Sequence, residues 1–311
     1  MLLYLRYRRG QKWVRERLNE IPEIKIDPDF LGEVESVKIT FLVDYYPVDE
    51  RFKGEPGVSY HVNADGYRVL FDTGFNASNE EPSPLLHNAS LLNIKLPEEI
   101  DAVVISHMHL DHIGGMRNQI RRTFSLSRKD LDLTGKIAFV PVKMSHPTAD
   151  VVVNSTPTII SKGVLVTEPL PSMLYFMGKT LEQALVINLK GRGLVVIVGC
   201  GHQKVQNLVN YLEKLVPVKI YAVIGGVHLP VTQSRETRFG LPVQKILGTG
   251  KPPWNSPSRK DVEDLIQFLK EKGVKKVGIS AHDSCDYTLG RFREEWGNDY
   301  IEIKAGSSVE L

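Results

Sequence analysis

Short, continuous apolar runs recur along the chain, and glycine or polar residues bound each of them. The runs at 102–105, 194–198 and 220–224 are rich in β-branched residues, which is typical of strands buried on both faces. Residues 37–43 instead alternate between apolar and polar positions, the period of a half-buried strand. The same reasoning predicts further strands at 57–62 and 67–71, joined as a hairpin around 64–66, and at 136–142, 163–167 and 276–281.

Two stretches have the spacing of amphipathic helices. The apolar residues of 205–215 recur at helical intervals, and 261–272 carries a stripe of Val262, Leu265, Ile266 and Leu269. Because these helices alternate with the buried strands, the pattern predicts an α/β fold. His61, His87 and His146 lie outside the strand ends that carry the other histidines, and we expect them at the surface.

Two segments stand apart from this pattern. Residues 1–34 form a basic extension with an amphipathic stretch up to about Asn19, which predicts a helix packed on the outside of the domain, with a membrane-surface or partner helix as the alternative. The domain proper is expected at 35–311. Within it, residues 231–260 have no sustained period and carry six Lys or Arg against one acidic residue, Glu236. We interpret this insertion as a lid over the site, the alternative being a solvated loop.

Composition narrows the choice of function and location. The chain has 311 residues and a formal net charge of +2, so its overall charge gives no support for nucleic-acid binding. Its two cysteines cannot form a disulfide framework, and they favour a reducing, cytoplasmic location. No apolar run approaches the length of a membrane span. The oligomeric state is left open.

Four potential metal ligands lie within six residues, directly after the strand predicted at 102–105. They are His107, His109, Asp111 and His112. In an extended loop, side chains two positions apart point the same way, so the first two histidines can bind one ion, while Asp111 and His112 can reach a second. The alternative is a pair of surface histidines and a helix-capping aspartate. We expect one or two Zn²⁺ ions, and iron or manganese would suit the same ligands.

Three other predicted strands also end in a histidine. His202 follows the strand at 194–198 and is the candidate third ligand of the first ion. His282 follows the strand at 276–281 and is a candidate ligand of the second ion. His228 follows the strand at 220–224, and it can be either a ligand or a contact to substrate.

The run from Ser106 to Gly115 resembles the HxHxDH signature of the metallo-β-lactamase superfamily. That resemblance implies a four-layer αββα sandwich with the metal centre along one edge. Segments 57–59, 182–185, 199–202 and 225–229 further resemble a branch that includes 7,8-dihydropterin-6-methyl-4-(β-D-ribofuranosyl)-aminobenzene-5′-phosphate synthase-like proteins. By the same resemblance Asp72 lies beneath the metals as a supporting carboxylate, rather than being only a strand-ending turn residue. Many members carry a bridging aspartate where this chain has Cys200, and we expect both cysteines to pack rather than react.

These observations predict a metal-dependent hydrolase that uses a metal-bound hydroxide on an ester or phosphoester of a small anionic substrate. Asp72, Asp111 and His228 are the candidate catalytic residues, and Arg235, Arg238 and Trp254 of the insertion are candidates to bind the substrate. The resembled branch implies an alternative, a transferase that joins a dihydropterin to an arylamine ribose phosphate. A nuclease is disfavoured by the balanced charge, and a non-catalytic binding protein would need degraded ligands.

Overall fold

The computed structural model describes residues 1–235, 237–238 and 241–311, and the side chains of 236–243 lie outside that description. Its strands are β1 Val37–Val43, β2 Ser59–Ala64, β3 Tyr67–Phe71, β4 Ala102–Val104, β5 Ile137–Val140, β6 Asp150–Val153, β7 Thr158–Ser161, β8 Val164–Val166, β9 Leu170–Leu174, β10 Gly178–Glu182, β11 Leu185–Leu189, β12 Gly193–Val198, β13 Ile220–Gly225, β14 Thr237–Arg238, β15 Leu241–Pro242, β16 Lys276–Ile279 and β17 Ser308–Glu310.

The helices lie between these strands and at the amino terminus. They are α1 Leu2–Glu20, α2 Pro28–Leu31, α3 Pro84–Leu91, α4 Met116–Arg121, α5 Val205–Leu215, α6 Val243–Leu247, α7 Arg259–Glu271 and α8 Asp286–Trp296, with short 3₁₀ turns at Pro253–Asn255 and Gly297–Asp299. Among the described residues, no helix combines the length and apolar character that a membrane span requires.

Two large mixed sheets form the centre of the fold. The first has the order β17-β1-β2-β3-β4-β5-β6, and the second has the order β16-β13-β12-β11-β8-β7. In the second sheet β12, β13 and β16 run parallel, as β3, β4 and β5 do in the first. Parallel neighbours carry their C-terminal ends to the same edge of a sheet, and this is what gathers the site residues.

Three apolar clusters hold four layers together. The middle cluster joins inward-facing residues of both sheets, such as Phe41 and Val62 from the first and Ile187 and Ile197 from the second. A second cluster packs α5, α7 and α8 on the outer face of the second sheet. The third packs α3 and the loops around it on the outer face of the first sheet. The predicted αββα sandwich of the metallo-β-lactamase type is therefore confirmed.

The strands and helices with a strong period of apolar residues were predicted correctly, and several elements with a weak period were not predicted. The structure forms β1, the β2–β3 hairpin, β12, β13, α5 and α7 where the pattern placed them. It also forms the β9–β10 hairpin, β6, β7 and α8, which have no clear period of apolar residues and were not predicted. The surface position expected for His61 is wrong, because this residue lies on β2, is 7% exposed, and contacts the carbonyl of Glu99 at 3.0 Å through Nε2.

The amino-terminal helix α1 packs on the β9–β10 hairpin. Its Gly10 lies so close to Met173 that an added Cβ would meet the sulfur at 2.3 Å, so glycine permits this approach. Tyr7 donates a hydrogen bond to the carbonyl of Gly250 at 2.8 Å, and Arg6 donates one to the carbonyl of Phe176 at 2.6 Å. The helix therefore covers one side of the domain.

Candidate metal centre

The loops that follow β4 of the first sheet and β12, β13 and β16 of the second sheet meet at one edge of the sandwich. The loop after β4 supplies His107, His109, Asp111 and His112, the loops after β12 and β13 supply His202 and His228, and the loop after β16 supplies His282. The two sheets approach closely here. An added Cβ on Gly199, after β12 of the second sheet, would lie 2.2 Å from the hydroxyl oxygen of Ser106, after β4 of the first sheet. Glycine at this point therefore lets the two loops come together.

Three imidazole rings converge in the first cluster. His107 Nε2 lies 3.0 Å from His109 Nδ1, and His202 Nε2 lies 3.1 Å from the same nitrogen. Two nitrogen ligands held at 2.0–2.1 Å in a tetrahedral zinc site lie about 3.3 Å apart. The observed separations are thus close to those of a ligand set, and the structure brings together the three residues expected at the first ion.

The second cluster contains His112 and His282, whose ring centroids are 5.2 Å apart. Asp111 Oδ2 lies 3.6 Å from His112 Nε2. Between the two histidines lies Cys200 Sγ, 3.1 Å from His112 Nε2 and 3.2 Å from His282 Nε2. One candidate ligand atom from each of these four residues falls within 4.8 Å of every other. The cluster therefore contains the three expected residues and a thiol that sequence reasoning had assigned to packing.

Burial keeps most of these imidazoles neutral. It lowers the pKa of His109 to about 3 and holds the pKa values of His107, His202 and His282 well below their usual range. His112 differs: burial lowers its pKa, but the carboxylates of Asp72 and Asp111 outweigh burial and raise it to about 9. Neutral imidazoles are the form that binds metal.

Asp72 lies beneath the centre as the resemblance implied. Its Oδ1 accepts the backbone N–H of Ser106 at 2.7 Å. Its Oδ2 accepts the Ser106 hydroxyl at 2.6 Å and lies 2.6 Å from His112 Nδ1. Since a carboxylate only accepts, Nδ1 carries a proton, so Nε2 is the nitrogen available to a metal, and it must give up its own proton when the metal binds.

A second carboxylate supports His282 in a related way. Asp44 accepts the Ser280 hydroxyl at 2.5 Å, and that hydroxyl lies 2.5 Å from His282 Nδ1. Asp44 also accepts the backbone N–H of Ala281 at 3.0 Å and the hydroxyl of Tyr60 at 2.9 Å. Burial raises the pKa of Asp44 to about 6. No sequence pattern indicates this role, because Asp44 follows β1 and lies far along the chain from the histidines of the centre.

Glu182 fixes the loop that carries Cys200 and His202. Its carboxylate accepts the backbone N–H groups of Cys200, Gly201 and His202 at 2.8–2.9 Å. Burial raises its pKa to about 7. The 182–185 segment formed part of the family resemblance, and its contacts now show why a glutamate is suited to this position.

His228 lies beside the first cluster, with its ring centroid 4.7 Å from that of His202. Its backbone N–H donates to Asp283 Oδ2 at 2.9 Å. Among the described residues its Nδ1 has no hydrogen-bond partner. Asp283 is itself fully buried, and its Oδ2 lies 3.8 Å from His282 Nε2. Both roles expected for His228, ligand and substrate contact, remain compatible with this position.

The insertion does approach the centre, but through residues other than those predicted. An added Cβ on Gly248 would meet His228 Cε1 at 2.4 Å. The side-chain amide of Gln244 donates to the carbonyl of His282, and its backbone carbonyl lies 3.3 Å from His228 Nε2. The loop therefore covers the two histidines with small and uncharged groups.

Arg235, one of the residues predicted to bind the substrate, contacts other parts of the domain instead. The Arg235 side chain is 3% exposed and donates to Asp286 at 2.8 Å and to the carbonyl of Ala281 at 2.9 Å. Its guanidinium also lies over the rings of Tyr45 and Tyr46. These contacts leave Arg235 tied to the frame of the domain and away from the cavity described next.

Trp254, another predicted contact to substrate, is not brought to the site either. Trp254 is exposed, and its ring lies 5.8 Å from that of Tyr4 and 5.5 Å from that of Tyr175. It therefore packs beside α1. The Arg238 side chain lies outside the described residues.

A cavity of about 520 Å³ opens beside His202 and His228. Its walls come from α1, from the start of α5, from residues 248–251 of the insertion and from the start of α7. Lys204 and Lys251 line it, and Lys251 pairs with Asp261 at 2.5 Å. The amino-terminal helix, expected to lie only on the outside, thus forms one wall next to the candidate site.

Comparison with known proteins agrees with the geometry. The sequence profile of the metallo-β-lactamase superfamily matches residues 53–124. The chain is 25% identical to the 7,8-dihydropterin-6-methyl-4-(β-D-ribofuranosyl)-aminobenzene-5′-phosphate synthase of Methanocaldococcus jannaschii, over 90% of this chain and 99% of that protein. It is 28% identical to an uncharacterised protein of the same organism, over 58% of this chain and 75% of that one.

Solved structures show the same fold. Tm1679, described as a metal-dependent hydrolase of the β-lactamase superfamily, matches with a TM-score of 0.59 and 22% identity, over 88% of this chain and 99% of that one. The metallo-β-lactamase fold protein YhfI from Bacillus subtilis matches with a TM-score of 0.51 and 13% identity, over 89% and 100%. The motif, the four-layer sandwich and these similarities together show that the chain has the metallo-β-lactamase fold and contains a segment that matches the profile of that superfamily.

Proposed function

We propose that this protein is a metal-dependent hydrolase that acts on an ester or phosphoester of a small anionic substrate. One observation carries the proposal: His107 Nε2 and His202 Nε2, from two different loops, both lie 3.0–3.1 Å from His109 Nδ1, beside a second cluster of imidazole, carboxylate and thiol. A neutral imidazole nitrogen has either one proton or one lone pair, so His109 Nδ1 can hydrogen-bond to only one of these two neighbours. A shared cation satisfies all of them.

The residues present fit two ions. His107, His109 and His202 would hold the first, and Asp111, His112 and His282 the second. Zinc is the first choice for this ligand set, and iron or manganese would also suit it. When bound, such ions polarise the bond to be cleaved and lower the pKa of water at the site from 15.7 to about 7. Asp111, as a ligand, and the carboxylate of Asp72, which is hydrogen-bonded to His112, would contribute negative charge next to the ions.

The chain's own groups then have distinct tasks. Asp72 and Asp44 hold His112 and His282 in the correct orientation and tautomer. Asp111, whose side chain is 22% exposed, is the acidic group at the open side of the centre, and it is suited to accept a proton during turnover. His228 presents Nδ1 without a partner among the described residues, so it can hydrogen-bond to substrate.

The cavity beside the centre is the proposed substrate site. Lys204 is exposed at its edge, where α5 begins, and a helix start favours negative charge. Lys251 contributes a second cationic group, although its pairing with Asp261 reduces its effect. These lysines support an anionic substrate in place of Arg235 and Trp254. The cytoplasmic location expected from cysteine usage stays a prediction.

A second candidate is the transferase reaction, in which a dihydropterin is joined to an arylamine ribose phosphate. The observation in its favour is the similarity to the methanogen synthase, which extends over nearly the full length of both proteins. In that reaction the same ions would favour departure of an anionic leaving group. The centre serves either chemistry, and the substrate decides between them.

The test begins with metal content. Purified protein should carry one or two transition-metal ions per chain, and changing His107 and His109 together to Ala should empty the first position, since two of its three ligands are lost. The matched control is His87→Ala, a half-buried histidine on α3 that contacts the carbonyl of Arg51. Full metal occupancy in the double variant would contradict the assignment.

The metal-loaded protein is then given two sets of substrates. One is a panel of phosphoesters, lactones and thioesters, and the other is a dihydropterin with an arylamine ribose phosphate. Turnover of the first set, abolished in the double variant and unchanged in His87→Ala, supports the hydrolase. Coupling of the second set without hydrolysis of the first would replace the hydrolase with the transferase.

A further inference from the structure

The point where the two histidine clusters meet is occupied by Cys200. Its Sγ lies 3.1 Å from His112 Nε2 and 3.2 Å from His282 Nε2 in the second cluster. The same sulfur groups with His107 and His202 of the first cluster, all candidate ligand atoms lying within 4.8 Å of one another. No other candidate ligand atom in the described chain belongs to both of these groups.

The surroundings of this thiol are polar and not those of a packing residue. Its neighbours are the ring nitrogens named above and the carboxylates of Asp111 and Asp283. The backbone cannot carry the sulfur elsewhere, because the N–H of Cys200 is fixed to Glu182 at 2.9 Å and the residue directly follows β12.

The second cysteine provides the contrast. Cys285 Sγ lies 3.4 Å from the Thr288 hydroxyl and 3.6 Å from the carbonyl of Leu229, and the residue belongs to the apolar cluster beneath α8. It joins none of the candidate metal groups in the described residues. Packing therefore accounts for Cys285, whereas the position of Cys200 calls for a different role.

We propose that Cys200 is a thiolate ligand shared by both ions, in the place where many members of the superfamily carry an aspartate. The proposal rests on the metal centre of the proposed function. Binding exchanges the S–H bond for metal–sulfur bonds and releases one proton to solvent. Because thiolate is a soft ligand, the centre should prefer zinc or cobalt to manganese or magnesium, which favour oxygen ligands.

The first test is spectroscopic and needs no substrate. Metal-free protein is loaded with Co²⁺, and the near-ultraviolet absorption is recorded for the wild type, for Cys200→Ser and Cys200→Asp, and for the control Cys285→Ser. A sulfur-to-cobalt charge-transfer band should appear in the wild type and in Cys285→Ser and should be absent from both Cys200 variants. Cys200→Ser should bind zinc at least about tenfold more weakly, and Cys200→Asp should shift the preference towards manganese.

The second test uses the wild-type chain alone, so it holds even if a Cys200 variant fails to fold. Mass spectrometry after alkylation in dilute denaturant should show that zinc protects Cys200 and leaves the labelling of Cys285 unchanged.

The outcomes separate the two proposals. Two bound ions with no charge-transfer band and no protection of Cys200 would overturn the thiolate ligand and leave the histidine centre standing. No bound metal at all would overturn both.

Discussion

Replacing Asp72 with Asn should move the ring proton of His112 from Nδ1 to Nε2. The hydrogen bonds of Asp72 explain this expectation. Oδ1 of Asp72 accepts a hydrogen bond from the backbone N–H of Ser106. This N–H has a fixed direction, because it belongs to the backbone. The single oxygen of Asn must therefore take this place, and its NH₂ group must face His112 Nδ1, which lies 2.6 Å from Oδ2 in the wild type. An NH₂ group donates, so Nδ1 has to accept, and the ring proton moves to Nε2. That is the nitrogen needed at the second ion.

The size of the effect follows from the contacts that are lost. Removing a partner that orients a metal-binding histidine costs about 10- to 100-fold in metal affinity. We expect a loss of this size for the second ion and a smaller change for the first, because no contact joins Asp72 to His109 or His202 among the described residues. The Ser106 hydroxyl can rotate to accept from the new amide. The free energy of unfolding of the metal-free protein should therefore fall by only about 1–3 kcal/mol.

The assay is a zinc titration against a competing chelator, with nitrogen-15 NMR of the histidine side chains to identify the tautomer. Asp101→Asn is the matched control, since Asp101 also accepts a backbone N–H, that of Arg68 at 2.8 Å, but lies away from the centre. It should leave both ions bound as in the wild type. If Asp72→Asn binds the second ion with unchanged affinity, or if His112 keeps its proton on Nδ1, the role given to Asp72 is refuted.

Three further outcomes are expected. Arg235→Gln should lower the free energy of unfolding by about 1.5–3 kcal/mol, through loss of the charged hydrogen bond to the buried carbonyl of Ala281. The ion pair with Asp286 adds little, because the Asp286 side chain is 56% exposed. KM for anionic substrates should stay unchanged, and a selective rise in KM, measured by steady-state kinetics, would return Arg235 to the substrate site. Gly248→Ala should impair turnover, because the added Cβ would press on His228. Gly250→Ala is the control, because its Cβ would meet only a carbonyl oxygen at 3.5 Å. Equal activity of the two variants would argue against the close approach of residue 248 to His228. Removing the metal with a chelator should lower the melting temperature, since loss of a ligand present at 1,000 times its Kd removes about 4 kcal/mol, and an unchanged melting curve would contradict tight binding.

Much of the fold was determined by local pattern. The runs that became β4, β12 and β13 are short, continuous and β-branched, so burial on both faces leaves them little alternative to a strand. The edge strands β6 and β7 escaped prediction because exposed or half-exposed strands carry no clear period. The β9–β10 hairpin escaped it because β9, although buried, mixes proline and serine with apolar residues. Their formation depends on neighbours that are distant in sequence.

The same distinction applies to the candidate site, where some residues were indicated by the sequence and others were identified only in the structure. The sequence by itself determined that His107, His109, Asp111 and His112 belong together, because four potential ligands within six residues cannot lie far apart. It also indicated His202 and His282, because each follows a predicted buried strand.

Only the tertiary structure decided the rest. Asp44 and Glu182 are ordinary acidic residues in the sequence, and they become supports for His282 and for the His202 loop once strands from both sheets meet at one edge. From the sequence, Cys200 was expected to be a packing residue, but in the folded structure its sulfur lies between His112 and His282. From the sequence, Arg235 was expected to be a cation available to substrate, but in the folded structure it contacts Asp286 and two tyrosine rings. The physical reason is common to all four: a side chain's role depends on which partners share its burial, and those partners are fixed by packing across the fold and not by distance along the chain.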